Sequence, residues 1–142
     1  MRQIKYNYKI VQRWIDTHPV IKFYLQGKKK SVPLFGLVDT GAYFTTLHSY
    51  FANEAGIDLS YAVNQNIDTA NGIIKGKKVN VFLKFIDEFT NESFILKTDV
   101  VFLDTLNFTK EAVLIGRAGI FNKFNEVSFS ENTFNKNIKF KF

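Results

Sequence analysis

Two apolar runs, VIKFYLQ (residues 20–26) and SVPLFGLV (residues 31–38), are separated only by Gly27 and three lysines, Lys28, Lys29 and Lys30. Short runs rich in branched and aromatic side chains read as strands, and a glycine followed by charged residues reads as the turn between them. The chain is therefore predicted to fold back as a hairpin whose second strand runs straight into Asp39. A carboxylate at the end of a buried strand is costly unless a partner or a proton compensates it. Asp39 thus asks for a chemical reason, and Thr40, Gly41 and Ala42 follow it directly.

The rest of the chain points the same way. Sixteen Phe and six Tyr against two Pro favour a pleated, half-buried surface, so most of the structure is expected to be strand. Residues 3–10 alternate, with Ile4, Tyr6, Tyr8 and Ile10 on one face, and Ile138, Phe140 and Phe142 repeat the pattern at the other end. Residues 93–103 predict another strand and residues 112–116, AVLIG, a short buried one. Residues 48–56 predict a short helix, with Ser49 as its N-cap and Gly56 as its stop. Residues 117–124 predict a turn of helix, which Gly119 weakens. Asn71-Gly72, inside residues 68–85, is a strong hairpin signal because both residues tolerate positive φ. With 142 residues and no Pro/Gly/Ser-rich linker, the expectation is one domain spanning 1–142, with 1–17 an N-terminal extension strand.

Several classes of function are disfavoured. Cysteine is absent, which removes thiol catalysis, disulfides and cysteine-based zinc sites, and His18 and His48 have no partner at ligand spacing. No metal and no cofactor is expected. The N-terminus MRQIKYNYKI is too polar for a secretory signal, and no run approaches the roughly 20 apolar residues of a membrane span. A soluble, cytoplasmic protein without a membrane partner is the expectation. The net charge of +6 raises nucleic acid as a partner. However, Lys28 to Lys30 after Gly27, and Lys77 and Lys78 after Gly76, read as solvated hairpin turns, and no nucleic-acid-binding motif accompanies them.

In order along the chain, LVDTGA (residues 37–42), a glycine-containing hairpin and VLIGR (residues 113–117) resemble the retropepsin-like aspartic proteases, the single-domain relatives of pepsin. The resemblance covers roughly residues 18–130. It implies a mostly β fold, a closed β-barrel of the acid-protease type with one or two short helices. It implies a catalytic element Asp39-Thr40-Gly41, with Ala42 lining the substrate pocket, and a flap around Asn71 and Gly72. It further implies a ψ-shaped loop under the site completed by Gly116 and Arg117. Two departures stand out. Retroviral members carry an Asp that pairs with the Gly-Arg arginine where this chain has Tyr43, and the flap tip lacks the Tyr of pepsin-type flaps.

The residues support such a site in their own right. Gly41 permits a close backbone turn, and the Thr40 hydroxyl can donate and accept at once. Only one Asp-Thr-Gly occurs, whereas a carboxylate dyad needs two, so the chain would act as a homodimer with Asp39 of each copy on a two-fold axis. Two adjacent carboxyls share a proton. The ionised one can activate water while the other polarises a peptide carbonyl, a logic for which aspartic proteases are the standard example. Retroviral members pair their terminal strands across the axis, and the one-sided strands at 3–10 and 137–142 are expected to do the same. The substrate would be a peptide or protein. Asp, Thr and Gly are also common turn formers. A catalytically inactive dimeric β-scaffold that binds peptides or mediates assembly is therefore the alternative function.

Overall fold

Alternation of apolar and polar side chains decides where this chain becomes strand. The computed structural model describes residues 2–10, 17–69, 72–104 and 113–142. The elements in chain order are β1 (Gln3–Asn7), β2 (Lys9–Ile10), β3 (Thr17–His18), β4 (Val20–Gln26), β5 (Ser31–Val38), β6 (Thr46–His48) and α1 (Ser49–Ala55). They continue with β7 (Val63–Thr69), β8 (Gly72–Ile86), β9 (Ser93–Leu103), β10 (Val113–Ile115), a 3-10 turn (Phe121–Lys123), β11 (Glu126–Ser130) and β12 (Asn137–Lys141).

The predicted hairpin forms, with β4 and β5 in register from Val20 opposite Leu37 to Gln26 opposite Ser31. Along β5 every second residue, Val32, Leu34, Gly36 and Val38, is buried, so the strand presents one face to the core. Hydrogen bonding runs β4-β5-β10-β6-β9-β8, and β4 pairs in turn with β8, so these six strands form a ring with β7 attached outside β8. Inside it Phe23 stacks on Phe85 at 5.6 Å, and Phe124 and Phe140 join the same aromatic cluster.

A second sheet, in the order β1-β12-β11, carries both chain ends. β1 and β12 pair with each other from Gln3 opposite Lys141 to Asn7 opposite Asn137. Ile4, Tyr6, Ile138 and Phe140 are almost fully buried beneath the sheet, and Tyr6 meets Phe140 edge to face at 6.2 Å. The apolar faces of the terminal strands are thus covered within one chain. That overturns the expectation that they cover each other across a two-fold axis, because neither leaves an apolar face in need of a partner. Alternation also stops at Tyr8, with Ile10 exposed. Asp87 locks this sheet to the turn between β8 and β9. Its carboxylate accepts from the backbone N–H of Lys5 (2.7 Å), Phe89 (2.7 Å) and Thr90 (2.8 Å). Burial alone would raise the Asp87 carboxyl, but these donors outweigh burial and hold it below the usual carboxylate range.

Three local expectations change. The N-cap of α1 is His48, whose Nδ1 accepts from Tyr50 N–H at 3.0 Å, so Ser49 is the first helical residue. Gly56 ends the helix at φ 81°, as predicted. Lys28 to Lys30 occupy the exposed turn, and the N–H of Lys29 donates to Ala55 C=O at 2.9 Å, at the C-terminus of α1. Lys77 and Lys78, by contrast, lie inside the long strand β8, where Lys78 faces Val63 on one side and Val101 on the other. Between residues 117 and 124 only the 3-10 turn forms, after Gly119 at φ 79°.

Candidate active site

β5 delivers Asp39 beside β10, which runs parallel to it with Ile115 opposite Val38. The ladder continues one step further, because Asp39 N–H donates to Ile115 C=O at 3.0 Å. The chain then turns tightly: Ala42 N–H donates to Asp39 C=O at 3.1 Å, and Gly41 N–H donates to the Asp39 carboxylate Oδ1 at 2.9 Å. That side-chain-to-backbone bond is the Asx geometry that Asp favours, and it fixes one carboxylate oxygen while the residue remains half-buried. Thr40 and Gly41 are exposed, and Ala42 is half-buried.

The segment after this turn is tied to the one after β10. Arg117 N–H donates to Ala42 C=O at 3.0 Å and Ala118 N–H to Tyr43 C=O at 2.7 Å. Gly116 N–H donates to the buried hydroxyl of Thr45 at 3.0 Å. Gly116 is required by close approach: a Cβ there would come within 2.4 Å of Phe44 O and 2.5 Å of its carbonyl carbon. Asp39, Thr40, Gly41, Ala42, Gly116 and Arg117 are therefore brought together. Thr45, which holds Gly116, is not legible from the sequence, since a hydroxyl within FTT carries no spacing signal.

Arg117 lacks the acid that the resemblance places beside it and finds a ring instead. Its guanidinium lies 6.0 Å from the centroid of Tyr43, and both side chains are exposed. Tyr43 also packs edge to face on Phe44 at 4.8 Å.

Asp39 opens onto a depression of about 390 Å³ lined by Pro19, Leu37, Val38, Asp39, Thr40, Phe129 and Glu131. The sequence pattern did not point to Phe129 or Glu131. The Glu131 carboxylate accepts from the Tyr8 hydroxyl at 2.5 Å. Burial, and then this acceptor, push the Tyr8 phenol above its ordinary range.

The hairpin of β7 and β8 is present, with Thr69 opposite Gly72 and the Thr69 hydroxyl donating to Gly72 C=O at 2.7 Å. The pairing already includes Gly72, which the sequence predicts in the turn. Gly72, at φ 109°, is the first residue of β8, and Asn71 lies outside the described residues. Pairing of β8 with β9 ends at Gly76, so, among the described residues, 72–75 pair only with β7, and the hairpin extends about 13 Å past that point at strand rise. No described residue of the hairpin lines the depression around Asp39. Among the described residues no group of three or more His, Asp or Glu side chains could hold a metal ion, and no helix is long and apolar enough to cross a membrane.

No protein-family model matches the chain, and no curated protein matches it. Its structure is similar to the crystal structure of a retropepsin-like aspartic protease from Rickettsia conorii. The two are 20% identical, with a TM-score of 0.60, over 98% of each chain. The fold is retropepsin-like and mostly β, as the ordered elements LVDTGA and VLIGR imply.

Proposed function

We propose that this chain is one half of a homodimeric aspartic endopeptidase. The observation that carries the reading is the tethered Asp39 turn. One carboxylate oxygen is held by Gly41 N–H, and the segment is cross-linked to Ile115, Gly116 and Arg117, at an open depression in a retropepsin-like fold.

A single carboxylate cannot both activate water and polarise a carbonyl, so a second Asp39 from another copy completes the site. Between the two, one proton is shared. The ionised carboxylate draws a proton from the intervening water, which attacks the peptide carbonyl, while the protonated carboxyl donates toward the carbonyl oxygen. A tetrahedral diol forms and then collapses with the proton passed to the leaving amine. In this scheme Thr40 bonds the opposite loop, Gly41 offers close approach to substrate backbone, and Ala42 lines the pocket. The hairpin bearing Asn71 and Gly72 closes over the peptide and excludes water. Gly116 and Arg117 support the Asp39 turn from beneath.

The inactive-scaffold reading draws on Tyr43, which stands where an acid that helps grip substrate is expected. Cleavage of a mixed peptide pool separates the two. The wild-type protein cuts, and a peptide analogue carrying a hydroxyl in place of the scissile carbonyl inhibits it tightly, because it imitates the diol. Asp39→Asn keeps the fold and cuts nothing, since Asn cannot act as the base. Undiminished cleavage by folded Asp39→Asn protein overturns the assignment; a wild-type protein that binds peptides without cutting any supports the scaffold.

A further inference from the structure

The sheet that carries the chain ends has two outer edges, and among the described residues only one of them is covered. On the β1 side, Asp87 accepts from Lys5 N–H at 2.7 Å, Glu88 N–H donates to Lys5 C=O at 3.3 Å, and Ile86 N–H donates to the Tyr6 hydroxyl at 3.1 Å. The turn between β8 and β9 therefore lies along that edge. On the other side, β11 has β12 as one neighbour and, among the described residues, no strand as the other.

The phase of the ladder tells which backbone groups of β11 face outward. Arg2 and Phe142 exchange both hydrogen bonds, at 3.2 and 2.9 Å, and Tyr8 N–H donates to Lys136 C=O at 3.1 Å. Even-numbered residues of β12 therefore turn their N–H and C=O groups toward β1. Odd-numbered ones, Asn137, Lys139 and Lys141, turn theirs toward β11. The partners of those three are Ser130, Ser128 and Glu126. That leaves the N–H and C=O of Val127 and Phe129 directed at the open edge. Their side chains lie on the core face of the sheet, packed against the core but only half-buried.

An edge of this kind is a template for pairing, and natural proteins protect it with a proline, a bulge or an inward charge. Within Glu126–Ser130, β11 carries no proline and no charge on its core face. The ion pair of Glu126 with Lys141 at 2.9 Å links β11 to β12 and is not aimed at an incoming strand. We infer that a second copy of this chain docks here, the two β11 strands pairing antiparallel through Val127 and Phe129 to make one continuous six-stranded sheet.

The occupant is a second copy because of what adjoins the edge. Phe129 ends beside the depression that holds Asp39 and Thr40, and Glu131, just past the strand, lines it too. A strand that pairs antiparallel with its own copy generates a two-fold axis and a self-complementary contact, the symmetry that two Asp39 turns require. The inference rests on reading Asp39 as half of a dyad. Among the described residues, β7, the outermost strand of the larger sheet, contributes no residue to the depression.

The absence of cysteine makes the test direct. Ser128 and Ser130 lie on the face of β11 opposite the core side chains, in register with Lys139 and Asn137. With the two-fold axis at Ser128, the two Ser128 positions face each other at a Cβ separation of about 4.5–5.5 Å, and with the axis at Phe129, Ser128 faces the partner's Ser130. Single variants Ser128→Cys and Ser130→Cys, alone and mixed, are oxidised mildly at micromolar concentration. Gln3→Cys, on the covered edge of the same sheet, is the comparison. Non-reducing gels read the disulfide dimer, and sedimentation and peptide cleavage are measured on the same samples. The expected result is a disulfide dimer from Ser128→Cys, or from the Ser128→Cys and Ser130→Cys mixture, at least about 10-fold faster than from Gln3→Cys. A dimer that cuts peptide while cross-linking no faster through β11 than through Gln3→Cys overturns the β11 interface and leaves the dyad standing. Cleavage by a species of monomer mass overturns both.

Discussion

Gly116→Ala is the sharpest test of how the Asp39 turn is held. The added methyl would lie 2.4 Å from Phe44 O, 2.5 Å from its carbonyl carbon and 2.8 Å from Tyr43 O. Comfortable contacts begin near 3.5 Å, so the two backbones must separate by about 1 Å. The clashing atoms belong to main chain that is itself fixed by the Ala118 N–H bond to Tyr43 C=O at 2.7 Å, so no rotamer change relieves the clash. Overpacking of this kind costs about 1–3 kcal/mol, which at roughly 3 °C per kcal/mol lowers Tm by about 3–9 °C. On the proposed function, a shift of about 1 Å at Asp39 lowers the rate by about 10²-fold, and that second effect is specific to the site. Gly36→Ala supplies the comparison, because its methyl meets side-chain atoms of Phe23 at 2.9 Å and Ile115 at 3.0 Å, which can repack. Thermal denaturation and kcat/KM on one peptide are measured for both variants. Gly116→Ala is expected to lose far more activity per degree of Tm than Gly36→Ala. Equal losses in the two, or wild-type behaviour of Gly116→Ala, would refute the argument that residues 43 and 44 position Asp39.

Two further outcomes follow from buried polar groups. Thr45→Val removes the acceptor of Gly116 N–H and leaves that donor buried, a loss of about 1–3 kcal/mol readable by denaturant melts; an unchanged midpoint would show that the hydroxyl is dispensable. Asp87→Ala strips three backbone donors of their acceptor and lowers stability at neutral pH by about 3 kcal/mol. Because the folded Asp87 carboxyl sits below its unfolded value near 3.9, its contribution is present above that pH and is lost as pH falls through the lower folded value. The gap between wild type and Asp87→Ala therefore narrows in acid melts below about pH 4, and a gap that widens there would contradict the assignment.

Legibility in the sequence follows the strength of local patterning. Residues 20–26, 31–38 and 93–103 are strands with the boundaries that their apolar runs predict, because each buries a face over its whole length. β11 is invisible in EVSFS, where two apolar residues stand among Glu and Ser, and its existence depends on β12 arriving beside it. Periodicity states that residues 3–10 and 137–142 have a face to bury, but not that the two strands pair side by side in one chain and bury it against the same core. The same limit applies at the site. Asp39, Gly41 and Gly116 are readable as residue types that a tight turn and a close crossing demand, whereas Thr45 and Glu131 come into place only through tertiary contact.

Arg117 shows what a missing neighbour does to a motif. With Tyr43 in place of an acid, its exposed guanidinium has a ring 6.0 Å away, a contact worth about 0.5–1 kcal/mol in water. A paired carboxylate would have held the side chain more firmly, through bidentate bonds. Yet the Arg117 backbone N–H still donates to Ala42 C=O at 3.0 Å, and Ala118 N–H to Tyr43 C=O at 2.7 Å, bonds that no side-chain substitution at position 43 removes. The anchoring of the Asp39 turn is therefore carried by main chain. That is why the turn can keep its form while the exposed side chain at position 43 departs from the pattern of the retropepsin-like proteases and Arg117 loses its acidic partner.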